Sequence, residues 1–155
     1  MDELYRSAQG YLKEHNVLSL ATCNKSQPWV APVFYMVHAE KLVFLSAPHT
    51  RHCKNLTANK NVAGSIQEDY SDWAEIKGFQ LQGEVQRVPS AKLSECISAY
   101  SEKFPVTGAG APTEIAQALE RIHWFELTVQ KVYFINNSLG LGHRDELVPE
   151  RLFSF

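Results

Sequence analysis

The segment from Leu42 to Gly64 constrains the fold of this chain most, because an apolar strand there leads into a basic helix start and then into another strand. The residues Leu42 to Leu45 are typical of a buried strand, and an Ala-Pro-His sequence soon afterwards ends it. Thr50 is placed to cap a short helix from Arg51 to Ala58, and the next strand restarts at Val62. A helix start presents free backbone N–H groups and the positive end of the helix dipole, so this order predicts an anion site.

The side chains at this helix start suit a phosphate ester. The candidate phosphate ligands are Thr50, Arg51, His52 and Lys54. Arg51 is expected to contribute most, since its planar guanidinium can bind phosphate oxygens with two parallel hydrogen bonds. The alternative is a surface loop whose charges are merely solvated, because helix starts are common and bound phosphates are not.

Composition indicates one globular domain over residues 1–155, with an ordinary hydrophobic share of 45%. The formal net charge is −2 and the basic residues are scattered, so we do not expect nucleic acid as a partner. The chain has no run of eighteen apolar residues, and Asp2 and Glu3 follow Met1 where a leader peptide would be basic and then apolar. We therefore expect no membrane association and a cytoplasmic location.

The cysteines argue against both a disulfide framework and a metal centre. Cys23, Cys53 and Cys96 are odd in number and far apart, which is typical of free thiols. His49, His52 and Cys53 could be considered a metal cluster, but no second ligand group has suitable spacing elsewhere. We predict no metal site.

The hydrophobic periodicity predicts a mainly β protein with flanking helices. An amphipathic helix, Asp2 to Glu14, is expected to cover the mouth of a barrel. Five strands follow, predicted over Val17 to Cys23, Trp29 to Val37, Leu42 to Leu45, Val62 to Gln67 and Ile76 to Val88. They form an antiparallel meander long enough to curl into a barrel.

The second half of the chain adds helices and late strands. A helix that starts at Pro89-Ser90 ends before Pro105, with one apolar face made of Leu93, Cys96, Ile97 and Tyr100. The stretch from Val106 to Pro112 is either a mobile lid or, as we favour, a plain loop before a helix that Thr113 caps. Two late strands are predicted over His123 to Val129 and Val132 to Asn136, and the tail from Ser138 is not assigned.

Short motifs in this order carry a family resemblance. They are LATC at Leu20 to Cys23, VFLS at Val43 to Ser46 with TR at Thr50 and Arg51, NLTANKNVAG at Asn55 to Gly64, and FQLQGEVQRV at Phe79 to Val88. Together they resemble the pyridoxamine 5′-phosphate oxidase-like, FMN-binding split-barrel family. The tail, Asn136 or Asn137 through Leu139, Gly140 and Gly142, is similar to that of small uncharacterised bacterial members. The expected fold class is α+β, an antiparallel split β-barrel of the FMN-binding type.

The resemblance implies a homodimer that holds two FMN molecules in clefts between its subunits. It places the FMN phosphate against Thr50, Arg51 and His52, where the start of the predicted helix also favours an anion. It places the isoalloxazine ring along the second strand and the end of the third, at Ala31, Pro32, Val33, Phe34, Leu45 and Ser46.

Departures from the family pattern limit what the resemblance implies. Ala31 stands where pyridoxamine phosphate oxidases have an Arg, His52 where they have a Lys, and Gly78 where they have a Gln. Nothing after Phe134 resembles their Arg-rich, Trp-containing substrate segment. We therefore expect weaker phosphate binding and no oxidation of pyridoxamine phosphate.

Other side chains have two interpretations each. Gln80 and Gln82 share one face of the long strand, so Gln80 could contact a flavin from its own or a neighbouring subunit, or both could simply face water. Trp29, Tyr35 and Trp124 are interpreted as core or interface residues. We propose no general base among the histidines in turns and in the tail, His15, His38 and His143.

The functional hypothesis is an FMN-dependent oxidoreductase acting on an unidentified small molecule. In such a site the flavin carries the electrons and the protein positions it, so no catalytic residue is assigned. The first alternative is a non-catalytic protein of the same fold that binds or carries flavin, the deazaflavin F420 or haem. A haem would need an axial ligand, for which His49 or His52 is the candidate. The second alternative is a cofactor-free dimeric barrel used for interaction.

Overall fold

The computed structural model describes residues 2–155, which form helices around one antiparallel sheet. The strands are β1 (Val17–Asn24), β2 (Gln27–His38), β3 (Lys41–Ser46), β4 (Asn61–Gln67), β5 (Lys77–Arg87), β6 (His123–Asn136) and β7 (Arg144–Leu147). The helices are α1 (Asp2–Glu14), α2 (Arg51–Ala58), α3 (Ser90–Lys103), α4 (Thr113–Glu120) and α5 (Pro149–Leu152). Short 3-10 turns cover Trp73–Glu75, Pro105–Thr107 and Asn137–Leu139.

The sheet closes on itself into a barrel. Its strand order is β3-β2-β1-β4-β5-β6-β7, and an additional pairing of β3 with the first half of β6 joins the two sides. The second half of β6 carries β7 instead, so β7 lies outside the closed ring of six strands. The predicted antiparallel split barrel with flanking helices is confirmed.

The barrel interior is filled by alternate residues of every strand, as the period of two requires. Its fully buried members include Leu18, Leu20, Tyr35, Leu42, Phe44, Ile66, Phe79, Leu127 and Phe134. Helix α1 covers one end, where the Tyr35 hydroxyl donates a 2.7 Å hydrogen bond to the Leu12 carbonyl. Helix α2 packs at the other end through Cys53 and Leu56. The expectation that α1 covers a barrel mouth is thus confirmed.

A second apolar cluster lies outside the barrel, under α3. It consists of Met36, Val43, Val88, Cys96, Tyr100 and Trp124. Glu126 is buried beside it, and Lys41 and Gln86 donate hydrogen bonds to its carboxylate at 2.9 and 2.5 Å. Burial of Cys96 and Tyr100 matches the predicted face of α3, but Ile97 is 40% exposed and does not belong to the buried face.

Two expectations about the second half of the chain were wrong in detail, and its tail had no predicted structure. The two late strands are one strand, β6, in which Gln130 forms a bulge: Gln82 pairs with Lys131 and Gly83 with Val129. Thr113 is the first residue of α4 and forms no side-chain cap, since Pro112 occupies the cap position. The unassigned tail adds β7 to the sheet and buries Leu147, Leu152 and Phe153.

Within residues 2–155, no helix combines the length and apolar character needed to cross a lipid bilayer.

Candidate functional site

The barrel is split between β2 and β3. Only the end of β2, Tyr35 to His38, pairs with β3, while the residues from Gln27 to Phe34 pair with β1 alone. Beyond Phe44, β3 continues as Leu45 and Ser46 and bonds to β6. The two strands therefore diverge, and among the described residues no strand pairs with the second edge of β2 from Gln27 to Phe34. We call the gap between this edge, the end of β3 and the start of α2 the split cleft.

Four residues separate the end of β3 from the start of α2, which lies at one end of the split cleft. Thr50 caps it as predicted, because its side-chain oxygen accepts a 3.4 Å hydrogen bond from the Cys53 N–H. The Lys54 N–H donates the first intrahelical bond to the Thr50 carbonyl, so the N–H groups of Arg51 and His52 precede the helical ladder. The Thr50 hydroxyl proton is already engaged, since it donates to the Ala47 carbonyl at 2.8 Å.

Arg51 is the exposed cation of this helix start. Its guanidinium carbon lies 4.3 Å from the centroid of the Trp29 ring, which belongs to the unpaired edge of β2. No carboxylate among residues 2–155 forms an ion pair with Arg51, and the first turn of α2 contains no acidic residue. The guanidinium therefore contacts the face of an aromatic ring rather than a carboxylate, and a bound anion could take the place of this contact.

His52 points into the end of the barrel. It is buried, and its Nε2 atom lies 2.5 Å from the Ser46 hydroxyl and 3.4 Å from the Thr50 hydroxyl. Burial lowers the pKa of His52, so the imidazole is neutral at neutral pH. His52 consequently supplies no positive charge to a phosphate under those conditions, unlike a lysine at the same position.

Helix α3 closes the opposite end of the split cleft. The Tyr100 hydroxyl donates a 3.1 Å hydrogen bond to the Phe34 carbonyl, and the Phe104 ring packs edge-on against the Phe34 ring at 5.5 Å. Leu45, beside Trp124 in the β3–β6 pairing, packs on the same outer cluster. Sequence reasoning missed Tyr100 and Phe104 as cleft residues, since only the packing of α3 across β2 brings them there.

The predicted ring contacts divide between the two faces of β2. Ala31 and Val33 are buried and point into the barrel, so only their backbone groups reach the split cleft. Pro32 and Phe34 point outward, and Leu45 and Ser46 line the end of β3. The structure thus brings Ala31 to Phe34, Leu45, Ser46 and Thr50 to His52 together around one cleft.

Two predicted ligands lie elsewhere in the chain. Lys54 lines a different pocket, on the β5–β6 side of α2. Gln80 points outward from the middle of β5, beside Gln82, Lys131 and Tyr133. Gln80 does not belong to the split cleft of its own chain, since β1 and β4 lie between β5 and β2, and β6 lies between β5 and β3. It could contact such a cleft from a second copy of the chain.

Comparison with known proteins agrees with this architecture. A family model described as pyridoxamine 5′-phosphate oxidase matches residues 6–136. The chain belongs to this family. A UPF0306 protein of Photorhabdus laumondii is 31% identical over 144 residues, which cover 92% of this chain and 94% of that protein.

Two solved structures share the fold at low sequence identity. HutZ, a haem storage protein of Vibrio cholerae, gives a TM-score of 0.70 at 20% identity and covers 82% of this chain and 91% of its own. A FAD-binding protein of Mesorhizobium loti gives a TM-score of 0.65 at 19% identity and covers 82% of this chain and 90% of its own. The fold is therefore one that accommodates either a flavin or a haem in these neighbours.

The split cleft has the chemical character that a flavin phosphate requires. It offers two backbone N–H groups ahead of the first intrahelical bond and an arginine without a carboxylate partner. The unpaired β2 edge offers backbone donors and acceptors that a ring with polar edges could use. The residues present therefore fit FMN, with His52 as the weakest element of the set.

Proposed function

We propose that this protein binds FMN in the split cleft and acts as a flavin-dependent oxidoreductase on a small molecule. The observation that carries the proposal is the start of α2, where Arg51 and two free backbone N–H groups face the split without a competing carboxylate. A dianionic phosphate is favoured there by the helix dipole and by charge-assisted hydrogen bonds. When bound, the flavin would supply two-electron transfer chemistry.

The chain's own residues would bind and orient the cofactor. Arg51 would leave the Trp29 ring and donate to phosphate oxygens, and the N–H groups of Arg51 and His52 would donate beside it. Backbone groups of β2 from Ala31 to Phe34 would meet the polar edge of the ring. Leu45, Tyr100 of α3 and Phe104, which follows that helix, would exclude water from the far end of the cleft.

A second copy of the chain is part of this proposal. In one chain the outward face of β2 is open, since Val30 is 60% and Phe34 is 57% exposed. Gln80 lies on a separate outer face, where it could complete a cleft only in trans. A homodimer with one cofactor per cleft accounts for both features.

A haem-binding function is the second candidate, and His49 is the observation that favours it. Its imidazole is exposed in the loop between β3 and α2, next to the split cleft, whereas His52 is buried against Ser46. A haem needs an axial ligand of this kind. HutZ, whose fold is similar, is a haem storage protein.

Titration with FMN and riboflavin tests the proposal directly, since the two flavins differ only in the phosphate. We expect FMN to bind more tightly than riboflavin, as followed by quenching of flavin fluorescence. Arg51→Ala should weaken FMN binding by about 1.5 to 3 kcal/mol, the range for a hydrogen bond to a charged group. Riboflavin binding by the variant should stay unchanged.

Arg6→Ala is the matched control, because it removes another exposed arginine, from α1. Equal FMN affinity in Arg51→Ala and wild type would contradict the phosphate assignment. The absorption spectrum of the purified protein separates the candidates: a flavin band supports FMN, and a Soret band supports haem. Oxidation of reduced nicotinamide with an electron acceptor then distinguishes an enzyme from a carrier.

A further inference from the structure

A second cavity, of about 360 Å³, lies on the β5–β6 side of α2. We call it the α2 flank pocket. Its basic residues are Lys54, Arg87 and His123, and its apolar floor is formed by Leu56, Val85 and Phe125. This pocket and the split cleft lie on different sides of α2. Arg51 extends from the helix toward Trp29 of β2, whereas the pocket is lined by residues of β5 and β6.

Strand register brings its basic residues together from distant parts of the sequence. Arg87 at the end of β5 pairs with Phe125 of β6, and His123 lies two residues earlier on the same face of β6. The Arg87 guanidinium carbon is 5.8 Å and the His123 ring centroid 6.3 Å from the centroid of Phe125. Lys54 adds a third basic side chain from the opposite wall, α2.

The positive charge of the pocket is not neutralised within the described part of the chain. Lys41, Lys60 and Lys131 form ion pairs with glutamates, but no carboxylate of residues 2–155 pairs with the three basic residues of the pocket. Burial, and then the charge of Arg87, lower the pKa of His123. This concentration of cations is a local feature, since the whole chain has a formal net charge of −2.

We propose that the α2 flank pocket binds a phosphate monoester of a small apolar group. Arg87 would bind the phosphate oxygens through its planar fork, and Lys54 would add a second charge from across the pocket. The floor of Leu56, Val85 and Phe125 would pack against the apolar part of the ligand. The volume is at the lower end of the range for ligand pockets, which suits one ring and its phosphate better than a dinucleotide.

Phenyl phosphate is the probe that tests this proposal, with phenol as its uncharged counterpart. We expect calorimetric titration to show binding of phenyl phosphate and none of phenol at the same concentrations. Arg87→Gln should weaken phenyl phosphate binding at least tenfold. Its fold should persist, because Arg87 is exposed and forms no ion pair among residues 2–155.

Two further variants make the result specific. Lys77→Gln, which removes a cation from the opposite end of β5, should bind phenyl phosphate as the wild type does. Arg51→Ala should also retain this binding, since Arg51 belongs to the split cleft. Equal binding by Arg87→Gln and wild type, or loss of binding in Arg51→Ala with retention in Arg87→Gln, would overturn the proposal. FMN binding by Arg87→Gln is expected to be unchanged, so this test and that of the proposed cofactor can fail separately.

Discussion

His52 is a buried neutral imidazole at the position where the family resemblance leads one to expect a lysine. Its Nε2 atom is 2.5 Å from the Ser46 hydroxyl, at the end of β3. The ammonium group of a lysine at this position could bind a phosphate. The Nε2 atom of His52 instead forms a hydrogen bond with Ser46, which connects α2 to the end of β3. One substitution thus exchanges a ligand charge for an internal hydrogen bond.

This exchange predicts acid sensitivity of the folded state. Burial lowers the pKa of His52, so as the pH falls below about 6.5, the ordinary value, the unfolded chain binds the proton first. The stability that neutral His52 contributes is present above that pH and is lost as the pH falls through its lowered pKa. We expect His52→Gln to reduce the loss of unfolding free energy between pH 7 and pH 5.

Urea unfolding of wild type and His52→Gln at several pH values measures this effect. His49→Gln is the control, because that imidazole is exposed in the adjacent loop. An identical pH dependence in wild type and His52→Gln would show that the buried imidazole does not couple protonation to unfolding.

A bulge divides β6 into a first half that pairs with β3 and a second half that pairs with β7. Gln130 is unpaired between Val129 and Lys131, opposite the step from Gln82 to Gly83 of β5. Before the bulge β6 closes the barrel on β3, and after it β6 carries β7. Bulges bend a strand and increase its twist, which suits the change of partner at this point.

Gly83 is required by this geometry, and its replacement should be costly. A Cβ atom at Gly83 would clash with the Thr128 carbonyl oxygen and crowd the Leu127 side chain. Gly83→Ala should therefore reduce the unfolding free energy by about 1 to 3 kcal/mol, as for overpacking of a core. Denaturant unfolding monitored by circular dichroism measures the change.

Gly10→Ala is the matched control, because a Cβ at Gly10 in α1 meets no atom within 4 Å. There the change should stabilise the protein by about 0.5 to 1 kcal/mol, since alanine favours a helix more than glycine does. A neutral Gly83→Ala would mean that the β5–β6 pair relaxes around the added methyl group.

At the scale of the whole molecule, the outward face of β2 is an apolar surface that the single chain leaves uncovered. Val30 and Phe34 on this face are exposed, and so is Val17, the neighbour of Phe34 on β1. Contiguous exposed apolar side chains are typical of a protein interface. The face borders the split cleft, so covering it with a second copy would also enclose the proposed cofactor site.

We predict a dimer that depends on this face. Val30→Asp should convert the dimer to a monomer, because a carboxylate would be buried without a partner. Multi-angle light scattering after size-exclusion chromatography measures the mass. Val106→Asp, at a similarly exposed valine before α4, should remain dimeric. A dimer that persists in Val30→Asp would place the interface on another surface.

Elements with local signals could be predicted from the sequence alone. The bounds of α1 and α2 match the predictions, and Thr50 caps α2 as expected. The strands up to β5 differ from the prediction by three residues or fewer at their ends. Such features depend on periodicity and capping over a few residues, which the linear sequence contains.

Tertiary packing decided what surrounds the sites. It placed Lys54 with Arg87 and His123, turned His52 toward Ser46, and left Gln80 outside the split cleft of its own chain. Pairing with β6 also makes a strand, β7, of tail residues whose own sequence has no strong strand pattern. The sequence by itself determined α1, α2 and the strands up to β5, and it predicts an anion at the start of α2, since these features depend on neighbours along the chain. Only the tertiary structure decided which side chains share a pocket, because strand register and helix packing join residues that are distant in sequence.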